Sequence, residues 1–333
     1  RTNSNISNAR TGSAKRMSQQ AIQLIPYGQD PLQILARRLL RDHQHKLPNL
    51  SDVTVILAEA QAAPLLRSWL LELSDTKGFT ALLGPRIVTL RDWIRPYFPS
   101  DIQVCDPQAQ LLILVEALSQ HPALLKAANP WALAADLISL FDELTLNHID
   151  LPDNLQDFMH QLQTAYGLHD SGITALGQEA RLVHTLWHAW HDQLQADGLT
   201  DAQAAYLLAL TQSLQQLPAE HALYLAGFHR FNPAELNWLT TLLQRQQTCL
   251  LLHGQAGVAA ERYHPDAALS GLLQHLPDTE TEPVSDQSYS AALTLLFDET
   301  AGSLQARSQT LQQRYPESPL APRLEVLMAQ SAE

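Results

Sequence analysis

The sequence predicts an α/β fold in which a parallel sheet is interrupted by a long insertion made only of helices. Apolar runs of strand length alternate with helical segments in residues 17–100, and the alternation returns after residue 220. Strands joined by helices in this way form parallel sheets with right-handed crossovers. Residues 101–220 contain almost no β-branched runs, so they predict helices alone.

The first part of the α/β domain, residues 17–100, begins with strands that lead into helices. Three runs are of strand type: 21–26 (AIQLIP), 53–58 (VTVILA) and 86–90 (RIVTL). A helix over Pro31–Arg41 follows the first run, and a helix that ends near Leu73 follows the second. Asp30 marks the first helix start, because an aspartate N-cap accepts backbone N–H groups and proline suits the first helical position.

The insertion, residues 101–220, predicts successive helices. They are expected near 107–120, 130–147, 151–166, 175–197 and 200–216. Good helix starts mark three of them: Asp106-Pro107, Asn129-Pro130 and Thr200-Asp201.

Strand patterns return in residues 221–322, which complete the α/β domain. Two strands are expected at 222–228 and 248–253, with a helix between them over Pro233–Arg245. The remainder predicts loops over 254–290, a short helix at 265–276 and a longer helix at 291–314.

The two ends of the chain stand apart from this domain. Residues 1–16 contain no acid and no apolar run, so we expect a disordered tail or tag remnant. The last apolar segment, Arg323–Ala329, is predicted to be a strand. Because only four residues follow it, residues 323–333 are expected to start a following domain that is truncated here.

The charge distribution argues against a protein that coats DNA with its whole surface. The net charge is −13, yet residues 1–50 contain eight Lys/Arg and two Asp/Glu, which leaves about −19 on the remainder. Only a local basic face is expected. No run of eighteen apolar residues is present, so no membrane span is predicted. Cys105 and Cys249 have no CxxC partner, which predicts buried thiols in a reducing cytoplasm.

Five segments, read in order, resemble the N-terminal half of the AddB-type subunit of bacterial AddAB helicase–nucleases. They are LIPYGQDPLQILARRLL (24–40), DVTVILAEAQAAPLLRSWLLEL (52–73), LLGPRIVTLRDWI (82–94), LYLAGFHRFNPAELNWLTTL (223–242) and PLAPRLEVLMAQSAE (319–333). Their order and spacing agree over nearly all of residues 20–333. The stretch GFHRFNPAE after a strand is the most specific of them.

The resemblance implies a P-loop NTPase-like (RecA-like) fold from an inactivated superfamily I helicase. Such helicases insert a helical subdomain into the first RecA-like domain, at the position of residues 101–220. The resemblance also implies a role in DNA double-strand-break repair, with single-stranded DNA and an AddA-type helicase subunit as partners. The PD-(D/E)XK nuclease domain of the family lies further along, so the parent protein is expected to be an exonuclease subunit.

The turn after the first strand occupies the position of a phosphate loop. A working loop reads GxxxxGK[ST], whose amides and lysine hold phosphates and whose hydroxyl holds magnesium. The turn here, Tyr27-Gly28-Gln29-Asp30, has one glycine, no lysine and no Ser/Thr at the required place. Asp30 also puts a negative charge at a helix N-terminus, where it opposes anion binding. We therefore expect this turn to be structural.

The second part of a nucleotide site is an acid that ends a buried strand and organises magnesium and water. AddB-type relatives that keep this acid read apolar-Asp-Gly-Phe, whereas this chain reads Leu225-Ala226-Gly227-Phe228. Alanine cannot ligate a metal, and Glu235 is expected to be a solvated helix residue. Two separate losses predict no ATP hydrolysis and no bound cofactor.

His184, His188 and His191 share one face of a predicted helix, so a metal site is geometrically possible there. Trp187 and Trp190 lie in the same stretch and favour packing, so no metal is expected. No carboxylates with a nearby lysine, as a metal-dependent nuclease requires, are visible in the sequence.

Positions that follow three predicted strands are the candidates for contact with single-stranded DNA. In superfamily I helicases the loops after the second and third strands face the DNA. The candidates are Gln61, Arg86, Thr89, Arg91, Trp93, His229 and Arg230. Arginine can pair with phosphate and tryptophan can stack on a base. In the alternative interpretation Trp93 belongs to the core and the arginines are ordinary surface charges.

Three functional classes remain open at this point. The first is a non-catalytic module that binds or guides DNA and scaffolds a partner subunit. The second is a protein-interaction domain without DNA binding, which the acidic bulk favours. The third, an active P-loop ATPase, lacks both elements that it requires.

Overall fold

The computed structural model of the chain describes residues 21–26, 28–120, 129–167, 173–218, 221–254, 266–276, 280–281, 291–292, 295–298, 302–317 and 319. The predicted tail at 1–16 and the predicted strand at Arg323–Ala329 lie outside these residues. The chain forms two compact units. The sheet unit comprises Arg1–Trp93, Pro218–Phe231 and Leu239–Glu333, and the helical unit comprises Ile94–Leu217 and Asn232–Trp238.

Eight strands lie within the described residues, and six of them form one sheet. The strands are β1 (Ile22–Ile25), β2 (Thr54–Leu57), β3 (Arg86–Thr89), β4 (Gln103–Val104), β5 (Leu199–Thr200), β6 (Leu223–Ala226), β7 (Thr248–His253) and β8 (Glu280–Thr281). The sheet has the order β3-β2-β6-β7-β1-β8, and every neighbouring pair is parallel. The predicted α/β fold with a parallel sheet of at least five strands is confirmed. The edge at which these strands end is called the carboxyl edge below.

Helices alternate with strands in the sheet unit, whereas several helices follow one another in the helical unit. They are α1 (Pro31–Asp42), α2 (Ala63–Asp75), α3 (Leu90–Ile94), α4 (Pro107–Gln120), α5 (Pro130–Leu146), α6 (Leu155–Tyr166), α7 (Ile173–Asp197), α8 (Ala202–Gln216), α9 (Pro233–Gln244), α10 (Ala267–Leu273) and α11 (Leu304–Arg314). In the sheet unit, α1 and α2 pack together over the sheet, and Leu39, Leu66 and Val55 are fully buried between them. The central strands β2 and β6 are buried along their whole length, which explains why their sequences are mainly apolar.

The helical unit confirms the five predicted helices to within a few residues, as α4 to α8. Its core contains Leu114, Phe141, Trp187 and Trp190, with the Phe141 and Trp187 rings edge-on at 5.2 Å. The unit also contains a two-stranded parallel sheet of β4 and β5, which was not predicted. Residue 200 therefore lies in a strand, and the N-cap of α8 is the residue after it.

The segment after β7 differs from the prediction in two places. β8 forms inside the region predicted as loops. It was not predicted because its pairing with β1 is a long-range contact that no local pattern shows. The predicted helix over 291–314 is interrupted: residues 291–292 and 295–297 are helical, residues 302–303 are not, and α11 begins at Leu304. Gly302 has a φ of +100°, in the left-handed region, and Ser303 accepts the N–H of Ala306 as an N-cap.

A buried polar network joins α1 to β1 and β6 near the amino ends of these strands. Arg38 donates to Gln23 Oε1 (2.9 Å) and to Asp42 Oδ2 (3.3 Å). The Tyr224 hydroxyl donates to Asp42 Oδ2 (3.3 Å) and lies 3.0 Å from His43 Nε2. Burial lowers the pKa of His43 and raises the pKa of Tyr224, so His43 can donate from Nε2 to the phenol oxygen. The network lies opposite the carboxyl edge, which indicates a structural role.

Candidate functional site

The Asp30 carboxylate occupies the N-terminus of α1, where a nucleotide phosphate would bind. Its Oδ1 accepts the backbone N–H groups of Leu32 (2.8 Å) and Gln33 (3.3 Å). Its Oδ2 accepts the indole N–H of Trp69, on α2, at 2.8 Å. The N–H groups that could hold a phosphate are therefore bonded to an internal anion, which also repels an external one.

The rest of the turn after β1 is a short bend. Gly28 has a φ of +89°, and the Gln29 N–H donates to the Pro26 carbonyl at 3.4 Å. Tyr27 lies outside the described residues. The bend leads directly to Asp30, the N-cap residue of α1.

β6 ends at Ala226, the position where a helicase-type nucleotide site would require an acid. The side chain is 1% exposed and packs in the apolar cluster formed with α1 and α2. A methyl group supplies no metal ligand. Because β1 and β6 are parallel strands of one sheet, Asp30 and Ala226 follow or end strands at the same edge.

The expectation that Glu235 is a solvated side chain is wrong. Its Oε2 accepts the N–H of Asn232 (3.1 Å), and its Oε1 accepts the hydroxyl of Tyr206 (2.7 Å). Asn232 Oδ1 in turn accepts the N–H of Glu235 at 2.8 Å. This reciprocal capping box at the start of α9 engages both carboxylate oxygens within the helical unit.

Four of the DNA-contact candidates are exposed in the loops that leave the carboxyl edge. Gln61 lies in a 3-10 helix after β2, Arg91 in α3 after β3, and His229 and Arg230 follow β6. The strands β3, β2 and β6 are neighbours in the sheet, so these loops are adjacent. Thr89 has a local role instead, because its hydroxyl donates to Asp92 Oδ2 (2.8 Å) and accepts the Asp92 N–H (3.2 Å).

The structure corrects the placement of two other candidates. Arg86 begins β3 rather than following it, and its register partner is Thr54 at the start of β2. It is exposed at the opposite edge, roughly 10 Å along the strand from the carboxyl edge. Trp93 is 2% exposed, so its ring is packed in the protein and presents no face for a base.

The loop after β6 contains an aromatic pair that the sequence did not single out. Gly227 has a φ of +84°, and a Cβ placed on it would lie 3.5 Å from the Ala58 Cβ, so the loop turns close to the end of β2. The rings of Phe228 and Phe231 then stack at a centroid distance of 4.9 Å and an angle of 17°. Both rings are only partly buried. A spacing of three residues in an irregular loop gave no signal for this contact.

At the end of β7, the charge of Asp266 acts on the pKa of His253, which was not predicted from the sequence. Partial desolvation lowers the pKa of His253, whereas the charges of Asp266 and Asp30 act in the opposite direction. A Cβ on Gly254 would lie 2.3 Å from Leu269 and 3.1 Å from the Asp266 carboxyl, so only glycine fits there. The close packing brings α10 against the end of β7.

The three histidines of α7 make packing contacts. His184 and His188 direct Nε2 to the same carbonyl oxygen, that of Pro152, at 2.7 and 3.2 Å. The nitrogen Nδ1 of His191 lies 2.9 Å from the Trp187 carbonyl oxygen. Among the described residues, no group of three or more His, Cys, Asp and Glu side chains is arranged to hold a metal ion.

No protein-family model matches this sequence, and no curated protein matches it. Within the part of the chain that the structure describes, every helix is too short or too polar to cross a membrane.

Proposed function

We propose that this chain is a non-catalytic, helicase-like α/β module that binds single-stranded DNA at the carboxyl edge of its sheet. The observation that carries the proposal is the Asp30 carboxylate, which fills the phosphate position with three hydrogen bonds. Ala226 adds a second obstacle, because magnesium has no strand-end acid to bind. Both support a role in binding without ATP hydrolysis.

The part of the carboxyl edge where β2 and β6 end is the favoured place for a ligand. From β2 the chain continues to β3 on one side, and from β6 it continues to β7 on the other side. The neighbouring strands β2 and β6 therefore form a topological switch point, where α/β sheets bind ligands. The exposed residues Gln61, His229 and Arg230 follow these two strands. Glu59 is also exposed there, so the positive strip that could contact phosphates is short.

The family proposal extends the resemblance to AddB-type subunits. In this proposal the sheet unit is an inactivated P-loop NTPase-like (RecA-like) domain, and its partner is a helicase subunit of the AddA type in DNA double-strand-break repair. The placement of both degenerate nucleotide positions at one sheet edge supports it. Cys105 and Cys249 are buried and unpaired, which fits a reducing cytoplasm.

A second candidate function, protein interaction by the helical unit, is favoured by the division of charge. The helical unit contains fifteen of the 34 Asp/Glu residues and three of the 21 Lys/Arg residues, so about −12 of the net −13 lies on it. A surface of this charge repels DNA phosphates and favours a basic protein partner. The two functions are compatible, since they use different units.

Fluorescence anisotropy with a labelled thymidine oligonucleotide tests the DNA proposal. R91A/R230A should weaken binding at low salt several-fold, because each arginine is expected to contact a phosphate. R86A is the control, since it removes one positive charge at the opposite edge, and it should leave the affinity unchanged. Equal affinity for the parent and the double variant would contradict the proposed site, and no binding by the parent would contradict DNA binding itself.

A further inference from the structure

We propose that Phe228 and Phe231 form a platform on which a base of single-stranded DNA stacks, with His229 and Arg230 beside its phosphate. This inference rests on the proposed function and names the residues that would supply base contact. It replaces Trp93, whose ring is buried.

The geometry of the loop after β6 presents the pair at the carboxyl edge. The Ala58 N–H donates to the Ala226 carbonyl at 3.1 Å, which holds the ends of β2 and β6 together. The turn at Gly227 then directs the chain away from the sheet. The platform therefore starts two residues after the buried strand β6, as a site that must hold its shape requires.

The stacking geometry leaves ring surface available. The Phe228 and Phe231 rings are nearly parallel, at 17° and 4.9 Å, so each covers one face of the other. Both remain partly exposed, although burial of a phenylalanine side chain is favourable by roughly 1.5–3 kcal/mol. A nucleobase can extend such a stack, because every base has a flat π-face of matching size.

The residues between the two rings supply charge for the same ligand. His229 and Arg230 are exposed, whereas the two phenylalanines contact each other. An apolar ring pair with an exposed arginine in the same loop suits a ligand that has a flat base and an adjacent phosphate, which is the repeating unit of a single strand. Such a platform tolerates any base, since stacking does not read hydrogen-bond edges.

The test uses anisotropy titrations of the full chain with two labelled probes of about ten nucleotides. One probe is a thymidine oligonucleotide, and the other is an abasic oligonucleotide with the same number of phosphates. The parent should prefer the thymidine probe by roughly tenfold. F228L and F231L should lose most of this preference, and F231Y should keep it. R230A should weaken binding of both probes alike. F79L, a partly buried phenylalanine before β3, is the matched control and should behave as the parent does.

The outcomes separate this inference from the proposed function. Binding of both probes with equal affinity would overturn the platform and leave phosphate binding intact, whereas failure to bind either probe would overturn the proposed function. A base preference that survives in both leucine variants would also overturn the platform. If the leucine variants unfold, a 5-iodouracil oligonucleotide is photo-crosslinked to the parent instead. Crosslinks at Phe228 or Phe231 support the platform. Crosslinks only at other residues contradict it.

Discussion

Replacing Asp30 by alanine should destabilise the start of α1 more than loss of an ordinary N-cap does. The carboxylate accepts two backbone N–H groups and the indole N–H of Trp69. Loss of an aspartate N-cap costs about 1 kcal/mol. An indole N–H that loses its charged acceptor in a partly buried place costs roughly 1–3 kcal/mol more. We therefore expect D30A to lower the free energy of unfolding by about 2–4 kcal/mol.

The matched control is D106A, because Asp106 caps α4 through the same two backbone bonds, to Gln108 and Ala109. It should cost only about 1 kcal/mol. Because α1 and α4 lie in different compact units, hydrogen exchange of their amides, which reports local stability, is the appropriate assay. A double-mutant cycle of D30A with W69F isolates the indole bond. Equal costs for D30A and D106A, with no coupling in the cycle, would refute the reasoning.

Three further predictions concern stability. Burial lowers the pKa of His43 and His221, so below pH 6.5 the unfolded chain binds more protons than the folded chain. The free energy of unfolding should therefore be highest above about pH 7 and decrease as the pH falls below 6.5. Urea unfolding measures this dependence, and a flat pH profile would contradict it. Y224F should cost about 1–3 kcal/mol in thermal unfolding, because the buried His43 loses its hydrogen-bond partner and Asp42 keeps only its arginine donors. E235A should destabilise α9 by about 1 kcal/mol, and E235Q less, by hydrogen exchange; equal effects would argue against the capping box.

Features that depend on neighbouring residues were predictable from the sequence. The strands β1, β2, β6 and β7 were found because a strand buried on both faces is a mainly apolar run. The Asp30, Asp106 and Asn129 caps were found because a cap bonds to the backbone within three residues. Ser303 belongs to the same class, and a search for caps inside the predicted helix at 291–314 would have located the start of α11.

Features that depend on long-range contacts were not predictable. The Asp30 and Trp69 side chains meet although 39 residues separate them. The burial of Trp93 and the edge at which Arg86 lies follow from packing and strand register, which a local pattern does not encode. The Phe228–Phe231 stack depends on the turn at Gly227, and the sequence shows only a glycine followed by two aromatic residues.

The central claim is that this module binds DNA without using nucleotide. Anisotropy titration of the full chain with a thymidine oligonucleotide, with and without millimolar MgATP at matched ionic strength and free magnesium, tests it most directly. A working helicase domain couples the two ligands, whereas Asp30 should prevent ATP from binding here. The account predicts salt-sensitive DNA binding with the same dissociation constant in both titrations. A nucleotide-dependent shift in that constant, or no DNA binding at low salt, would contradict it.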